Sequence, residues 1–142
     1  MITRHANATW EGDLATGKGR VNSDSGVLAH AYSFKTRFEN EKGTNPEELI
    51  GAAHAACYSM ALSHILASGG HKPTRVTTKA DVSLDKVGEG FKITKILLTV
   101  EGVVPGLDEA GFLDAANKAK VGCPISQALA ATPIELKASL AK

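Results

Sequence analysis

Several things are scarce in this chain, and each scarcity excludes something. There is almost no net charge: sixteen basic and fifteen acidic side chains leave +1, interspersed along 142 residues. A nucleic-acid or anionic-membrane surface needs a basic stripe, and none is present. The N-terminal MITRHANATWEGD lacks the apolar run of a secretory signal. The longest apolar stretch, residues 49–67, is rich in alanine and interrupted by His54, Ser59, Ser63 and His64, which reads as a buried helix rather than a membrane span. These absences point to the cytoplasm, and to a small molecule or another protein chain as partner. Internal repeats and low-complexity segments are also missing. Only two cysteines occur, Cys57 and Cys123. In a reducing compartment structural disulfides are rare, so these two are core fillers, metal ligands or redox partners.

What remains is an ordinary globular composition, 43% hydrophobic and 22% charged, of a length suited to one domain over residues 1–142. Residues 4–35 mix short alternating runs with Gly12, Gly17, Gly19 and Gly26, the pattern of short antiparallel strands joined by turns. GTNPEEL then marks a helix start: Asn45 as N-cap, Pro46 in the first helical position, Glu47 and Glu48 at the positive end of the dipole. The helix is predicted to run to about Ser68, where Gly69-Gly70 stops it. Its apolar residues cover nearly the whole circumference, which implies burial on more than one side. One chain of this length supplies too little sheet to cover such a helix. A second copy would cover it, so a homodimer is expected.

Two period-2 runs follow, one with Val76, Thr78, Ala80, Val82 and Leu84 on a face, the other with Ile96, Leu98, Val100 and Gly102. Gly88-Glu89-Gly90 between them predicts a hairpin. The second run begins with Phe91 and Ile93 on odd positions before switching to even ones, and a bulge near Thr94–Lys95 explains the switch. Asp108 caps a predicted helix over 109–120 with Phe112, Ala115, Ala116 and Ala119 on one side. A short helix follows Cys123-Pro124, and a final strand alternates Ile134, Leu136, Ala138 and Leu140. The order describes an α+β fold with antiparallel sheet and segregated helices around a long central helix.

The residues able to carry chemistry are few. Cys57 lies mid-helix in AAHAACYSM, where most cysteines are small apolar fillers. Cys123 opens a helix in VGCPISQAL, beside unpaired backbone N–H groups that favour a thiolate. His54 and Cys57 have an H-x-x-C spacing that can hold zinc, but no second ligand pair and no carboxylate near Cys123 support it. His64 reads as a hydrogen-bonded core histidine. A buried thiol ionises only beside a compensating cation. Arg37, just before the loop into the long helix, is the best candidate, with Glu47 able to hold its guanidinium in a bidentate contact. Read alone, the residues favour Arg37 as a strand-edge surface charge and Glu47 as a helix-dipole residue.

At these residues the sequence resembles a known family. RFENEKGTNPEELIGAAHAACYSMALS and the later GCPISQ are similar to the osmotically inducible protein C family, with similarity from Trp10 through Cys123. The N-P-E-x-L…A-A-C core also occurs in the related organic hydroperoxide resistance proteins; R-F-E-x-E-K-G-T-N-P-E-E-L resembles the osmotically inducible branch specifically. The resemblance implies a cysteine-based antioxidant peroxidase of the stress response that reduces organic hydroperoxides and hydrogen peroxide. It also implies an intertwined homodimer and a dithiol reductant of the lipoyl type. It further implies Cys57 as peroxidatic cysteine, Cys123 as resolving cysteine, and Glu47 and Arg37 as catalytic partners, with no cofactor and no metal. In the hydroperoxide-resistance branch the arginine comes from an earlier glycine-rich loop. Here that loop reads GKGR, which makes Arg20 a rival ranked below Arg37. A non-enzymatic redox sensor and a metal-binding structural dimer are the alternatives. Glu47 and Cys57 are ten residues apart, about 15 Å along a continuous helix, more than a glutamate side chain spans. If both act at one site, either the helix breaks between them or Glu47 comes from the partner subunit; LIGAAHAA holds a glycine but no proline, which favours the partner.

Overall fold

The computed structural model describes all residues from Met1 to Lys142, with the elements β1 (Ala6–Glu11), β2 (Lys18–Ser23), β3 (Ala29–Tyr32), α1 (Phe34–Phe38), α2 (Pro46–Ser68), β4 (Arg75–Val87), β5 (Gly90–Val103), α3 (Glu109–Gly122), α4 (Pro124–Ala128) and β6 (Ile134–Leu140). They form two compact units, Met1–Leu49 and Ile50–Lys142.

In the first unit β1, β2 and β3 make an antiparallel sheet in sequence order. Trp10 packs against Tyr32 in a tilted pair with ring centroids 5.5 Å apart, and its indole Nε1–H donates to the carbonyls of Gly12 and Asp13. Gly19 lies beneath both rings: a Cβ there would come within 2.5 Å of Tyr32 and 2.7 Å of Trp10. The sequence reading did not anticipate α1. It is held by a local device, a capping box in which the Ser33 hydroxyl accepts from Thr36 N–H while the Thr36 hydroxyl accepts from Ser33 N–H. A loop then leads to Asn45, whose Oδ1 accepts from Glu48 N–H at 2.8 Å, the N-cap that begins α2.

In the second unit α2 runs on without interruption until Gly70, at φ +87°, lets the His71 N–H return to the Leu66 carbonyl. β4 and β5 form the expected hairpin, closed by Gly88-Glu89 with Gly88 at φ +63°. Glycine in the first central position is the chemistry of a type II′ turn. The bulge is where the change of face places it. Ser83 pairs with Lys95 and Leu84 with Ile93, so Thr94 is the extra residue, and its hydroxyl donates to the Asp85 carboxylate on the facing strand.

β6 lies parallel to β5, giving the order β4-β5-β6. The antiparallel expectation holds for every other pair. This one differs because α3 and α4 carry the chain back along the sheet before β6 begins, and a helical return delivers a parallel strand. Ile96, Leu98 and Val100 of β5 meet Tyr58, Leu62 and Leu66 of α2 and Phe112, Ala115, Ala116 and Ala119 of α3 in one core. The four α3 residues are those expected on one side, and Asp108 caps that helix through Gly111 N–H at 2.8 Å. Helix α2 rests on β4 at Gly51, where a Cβ would sit 3.3 Å from the Ala80 carbonyl oxygen, and Ser59 donates to Thr78 at 2.7 Å. The Tyr58 hydroxyl donates to the Ala116 carbonyl at 2.9 Å and ties α2 to α3.

Burial of α2 in the single chain is one-sided. Gly51, His54, Tyr58, Leu62 and Leu66 are buried, whereas Ala52, Ala53, Ala56, Met60, His64 and Ala67 are exposed. His64, read as a core residue, is exposed in the single chain: it sits roughly 200° round the helix from Leu62, on the side that this chain leaves uncovered. By length and hydropathy α2 also meets the criteria for a membrane-crossing helix. Its buried face packs on the core of the second unit.

Candidate active site

The chemistry-bearing residues assemble as two pairs, one in each unit. In the first, Arg37 closes α1 and Glu47 opens α2. The guanidinium Nη2 donates to Glu47 Oε1 at 2.7 Å, and Nε donates to Oε1 and Oε2 at 3.3 and 3.2 Å. Glu47 is buried, with only 8% of its surface exposed. The forked contact is the one the sequence made possible, and it fixes the direction of a permanently charged group at the mouth of a helix. Arg37 also lies over the Phe38 ring, 5.2 Å from its centroid. Arg20, the rival cation, is exposed on β2 and donates at 3.4 Å to the Ala29 carbonyl.

In the second unit α2 presents Cys57, and the junction between α3 and α4 presents Cys123. Cys123 ends one helix and begins the next: its N–H donates to the Ala119 carbonyl at 2.9 Å, and its own carbonyl accepts from Gln127 N–H at 3.0 Å. Pro124, with no N–H to lose, starts α4 immediately after it. This double constraint holds the Cys123 thiol against Cys57, to which it donates with Sγ atoms 3.1 Å apart. Both are free thiols, Cys123 fully buried and Cys57 half-buried. Bonded sulfurs lie about 2.05 Å apart, so a disulfide needs a closure of only about 1 Å.

Burial pushes the Cys57 thiol above its ordinary value, and the hydrogen bond from Cys123 adds to the rise. The backbone N–H of Ile125, in the first turn of α4, acts in the opposite direction. Thus the donor at the start of α4 serves Cys57, across the gap, whereas the sequence reading paired that helix start with Cys123.

Sequence reasoning missed Ser126. It is buried, and its Oγ lies 2.7 Å from His54 Nε2. Its spacing from Cys123 was the available signal, since a residue three positions into a helix shares the side of its N-cap. With that bond His54 is a buried neutral imidazole, and burial lowers its pKa from the ordinary value. No group of three or more His, Cys, Asp or Glu side chains is arranged to hold a metal ion.

Comparison with known proteins adds to this geometry. Residues 39–138 match the family model described as OsmC-like protein. The chain is 60% identical over 131 residues, 92% of each chain, to the Peroxiredoxin OsmC of Escherichia coli strain K12. It is 34% identical to an organic hydroperoxide resistance protein of Xanthomonas axonopodis pv. citri, covering 90% of this chain and 87% of that one. Among solved structures, the organic hydroperoxide resistance protein OhrB of Bacillus subtilis superposes with a TM-score of 0.73 at 31% identity, over 96% of this chain and 98% of that one.

Proposed function

This chain belongs to the OsmC-like protein family, and from that premise and its paired thiols we propose that it is a thiol-dependent peroxidase reducing organic hydroperoxides and hydrogen peroxide. The observation that carries the reading is the Cys57–Cys123 contact at 3.1 Å, two unpaired thiols held within reach of a disulfide in an otherwise cysteine-free chain. The names of its relatives, a peroxiredoxin and organic hydroperoxide resistance proteins, agree with it.

In this mechanism the Cys57 thiolate attacks the terminal peroxide oxygen. The O–O bond breaks, alcohol or water leaves, and Cys57 becomes a sulfenic acid. Cys123 then displaces that hydroxyl, forming the Cys57–Cys123 disulfide and water. A dithiol, of the lipoyl type in this proposal, regenerates both thiols by exchange. In this proposal an alkyl tail lies against apolar side chains of the helix and facing strands.

A thiol that burial holds protonated needs a cation before it can attack. Arg37, oriented by Glu47, has that role here, favouring the thiolate and stabilising charge on the peroxide oxygens. Helix α2 has no break between Glu47 and Cys57, and ten residues span about 15 Å. Each site is therefore composite: Cys57 and Cys123 come from one chain, Arg37 and Glu47 from the other. The exposed stripe of Ala52, Ala53, Ala56 and Met60 beside Cys57 supports the homodimer, because a second copy gives that apolar surface a partner. Both units are read as one OsmC-like domain, 1–142, since the family match runs across their boundary. A cytoplasmic location fits free thiols that must be reduced again after each turnover.

Peroxide consumption with an alkyl hydroperoxide and hydrogen peroxide side by side, across several dithiols, tests the proposal. Turnover coupled to dithiol oxidation is expected. Cysteine oxidation without turnover would instead indicate a redox sensor.

A further inference from the structure

His54 is the least expected residue in the core of the second unit. It is completely buried, and its Nδ1 has no hydrogen-bond partner. A buried acceptor nitrogen without a partner is better tolerated than a buried N–H without one, so the proton sits on Nε2 and is donated to Ser126 Oγ at 2.7 Å. An apolar side chain would fill the same space without an orphaned nitrogen. Stability alone does not account for histidine here, which directs attention to what its one bond holds.

That bond holds α4. His54 and Cys57 are three residues apart on α2, and Cys123 and Ser126 are three apart at the start of α4. Residues at that spacing share a helix face, so two rungs join the helices: sulfur to sulfur at 3.1 Å and imidazole to hydroxyl at 2.7 Å. Helix α4 has only five residues. So short a helix has little stability of its own and depends on what pins it. Of the two rungs, only the second persists unchanged while the sulfurs react.

We propose that His54 is a positioning residue for the resolving step: through Ser126 it holds α4, and with it Cys123, close enough to Cys57 for the disulfide to form before the sulfenic acid is oxidised further. The inference rests on the roles given above to Cys57 and Cys123. The step it governs is Cys57–SOH plus Cys123–SH giving the disulfide and water. The Cys57 S–O bond breaks as the S–S bond forms, and the thiol proton leaves with the hydroxyl. The competing step, attack of the same sulfenic acid on a second peroxide, breaks that O–O bond, releases alcohol and gives a sulfinic acid, with no contribution from Cys123. A misplacement of about 1 Å can slow an oriented reaction by up to a hundredfold, which is enough to hand Cys57 to the competing step.

The test uses the reduced full-length protein and the variants Ser126→Ala, Ser126→Thr and His54→Gln. Single-turnover peroxide consumption gives the first step, and quenched mass spectrometry gives the partition of Cys57 between disulfide and sulfinic acid as the alkyl hydroperoxide concentration rises. Ser126→Ala removes one oxygen atom and should slow disulfide formation on the order of tenfold or more, with a much smaller slowing of the first step as the Ile125 N–H shifts relative to Cys57. Ser126→Thr, which keeps the hydroxyl, should restore the parent partition. With Cys123→Ser added, the Ser126→Ala effect on sulfinic acid formation should vanish. A parent-like partition in Ser126→Ala and His54→Gln would overturn the inference, and so would equal slowing of both steps, the mark of a general packing defect. Peroxide consumption by a Cys57→Ser control would overturn the underlying reading instead.

Discussion

Gly102 on β5 faces the ring of Phe112, and a Cβ built there would lie 2.3 Å from Cε2 and 2.6 Å from Cζ. Ordinary carbon contacts are about 3.5 Å or more, so Gly102→Ala displaces the ring by about 1 Å. Phe112 is fully buried, among α2, α3 and the sheet, and has nowhere to go without moving its neighbours. Overpacking of this kind costs about 1–3 kcal/mol, which for a chain of this size lowers Tm by about 3–10 °C. Phe112→Leu lacks the two atoms that collide, so the double variant should be more stable than Gly102→Ala alone, although Phe112→Leu by itself costs about 1 kcal/mol. Phe112 lies near the start of the helix whose end carries Cys123, so Gly102→Ala should also lower the yield of disulfide after one equivalent of peroxide. Thermal denaturation of the four proteins measures the first effect, and mass spectrometry the second. A Gly102→Ala protein with parental Tm, or a double variant no better than the single, would refute the argument that α3 is seated on this glycine.

Three further outcomes are expected. Arg37→Ala should raise the Cys57 pKa and slow peroxide attack, with Arg20→Ala doing much less; pH-dependent thiol alkylation reads this, and the reverse ranking would assign the cation to β2. A mixed dimer of Cys57→Ser and Glu47→Ala subunits should recover activity that neither homodimer has, whereas mixed dimers that form and stay inactive would contradict a composite site. Because burial depresses the His54 pKa from its ordinary value of 6.5, the native state binds that proton less readily than the unfolded chain. Its contribution to stability is present above about pH 6.5 and lost as pH falls through the depressed value. Tm measured between pH 7 and pH 5 should therefore fall less in His54→Gln than in the parent.

Much of this was legible because the signals are local. Asn45 and Pro46 announce a helix through groups they themselves supply or lack, and Asp108 does the same. The switch of face between Ile93 and Ile96 places the bulge at Thr94. The Arg37–Glu47 fork was accessible because both residues flank one short loop. What escaped the sequence depends on distant partners. Ser126 is 72 residues from the histidine it meets, and nothing near Ile134 announces a parallel strand. The exposure of His64 follows from which side of α2 the sheet and α3 cover, which the nearly uniform apolar pattern of that helix does not reveal. Helix α1, at five residues, carries too short a period to stand out from the strands before it.

The central claim is that Cys57 is the attacking thiol, and one measurement addresses it directly: steady-state reduction of an alkyl hydroperoxide by dithiol, comparing the parent with Cys57→Ser at equal concentration. Serine differs from cysteine by a single atom, so the fold should be retained, as a circular dichroism spectrum and Tm can verify. The account predicts turnover in the parent and none above the uncatalysed rate in the variant. Appreciable turnover by Cys57→Ser would contradict it.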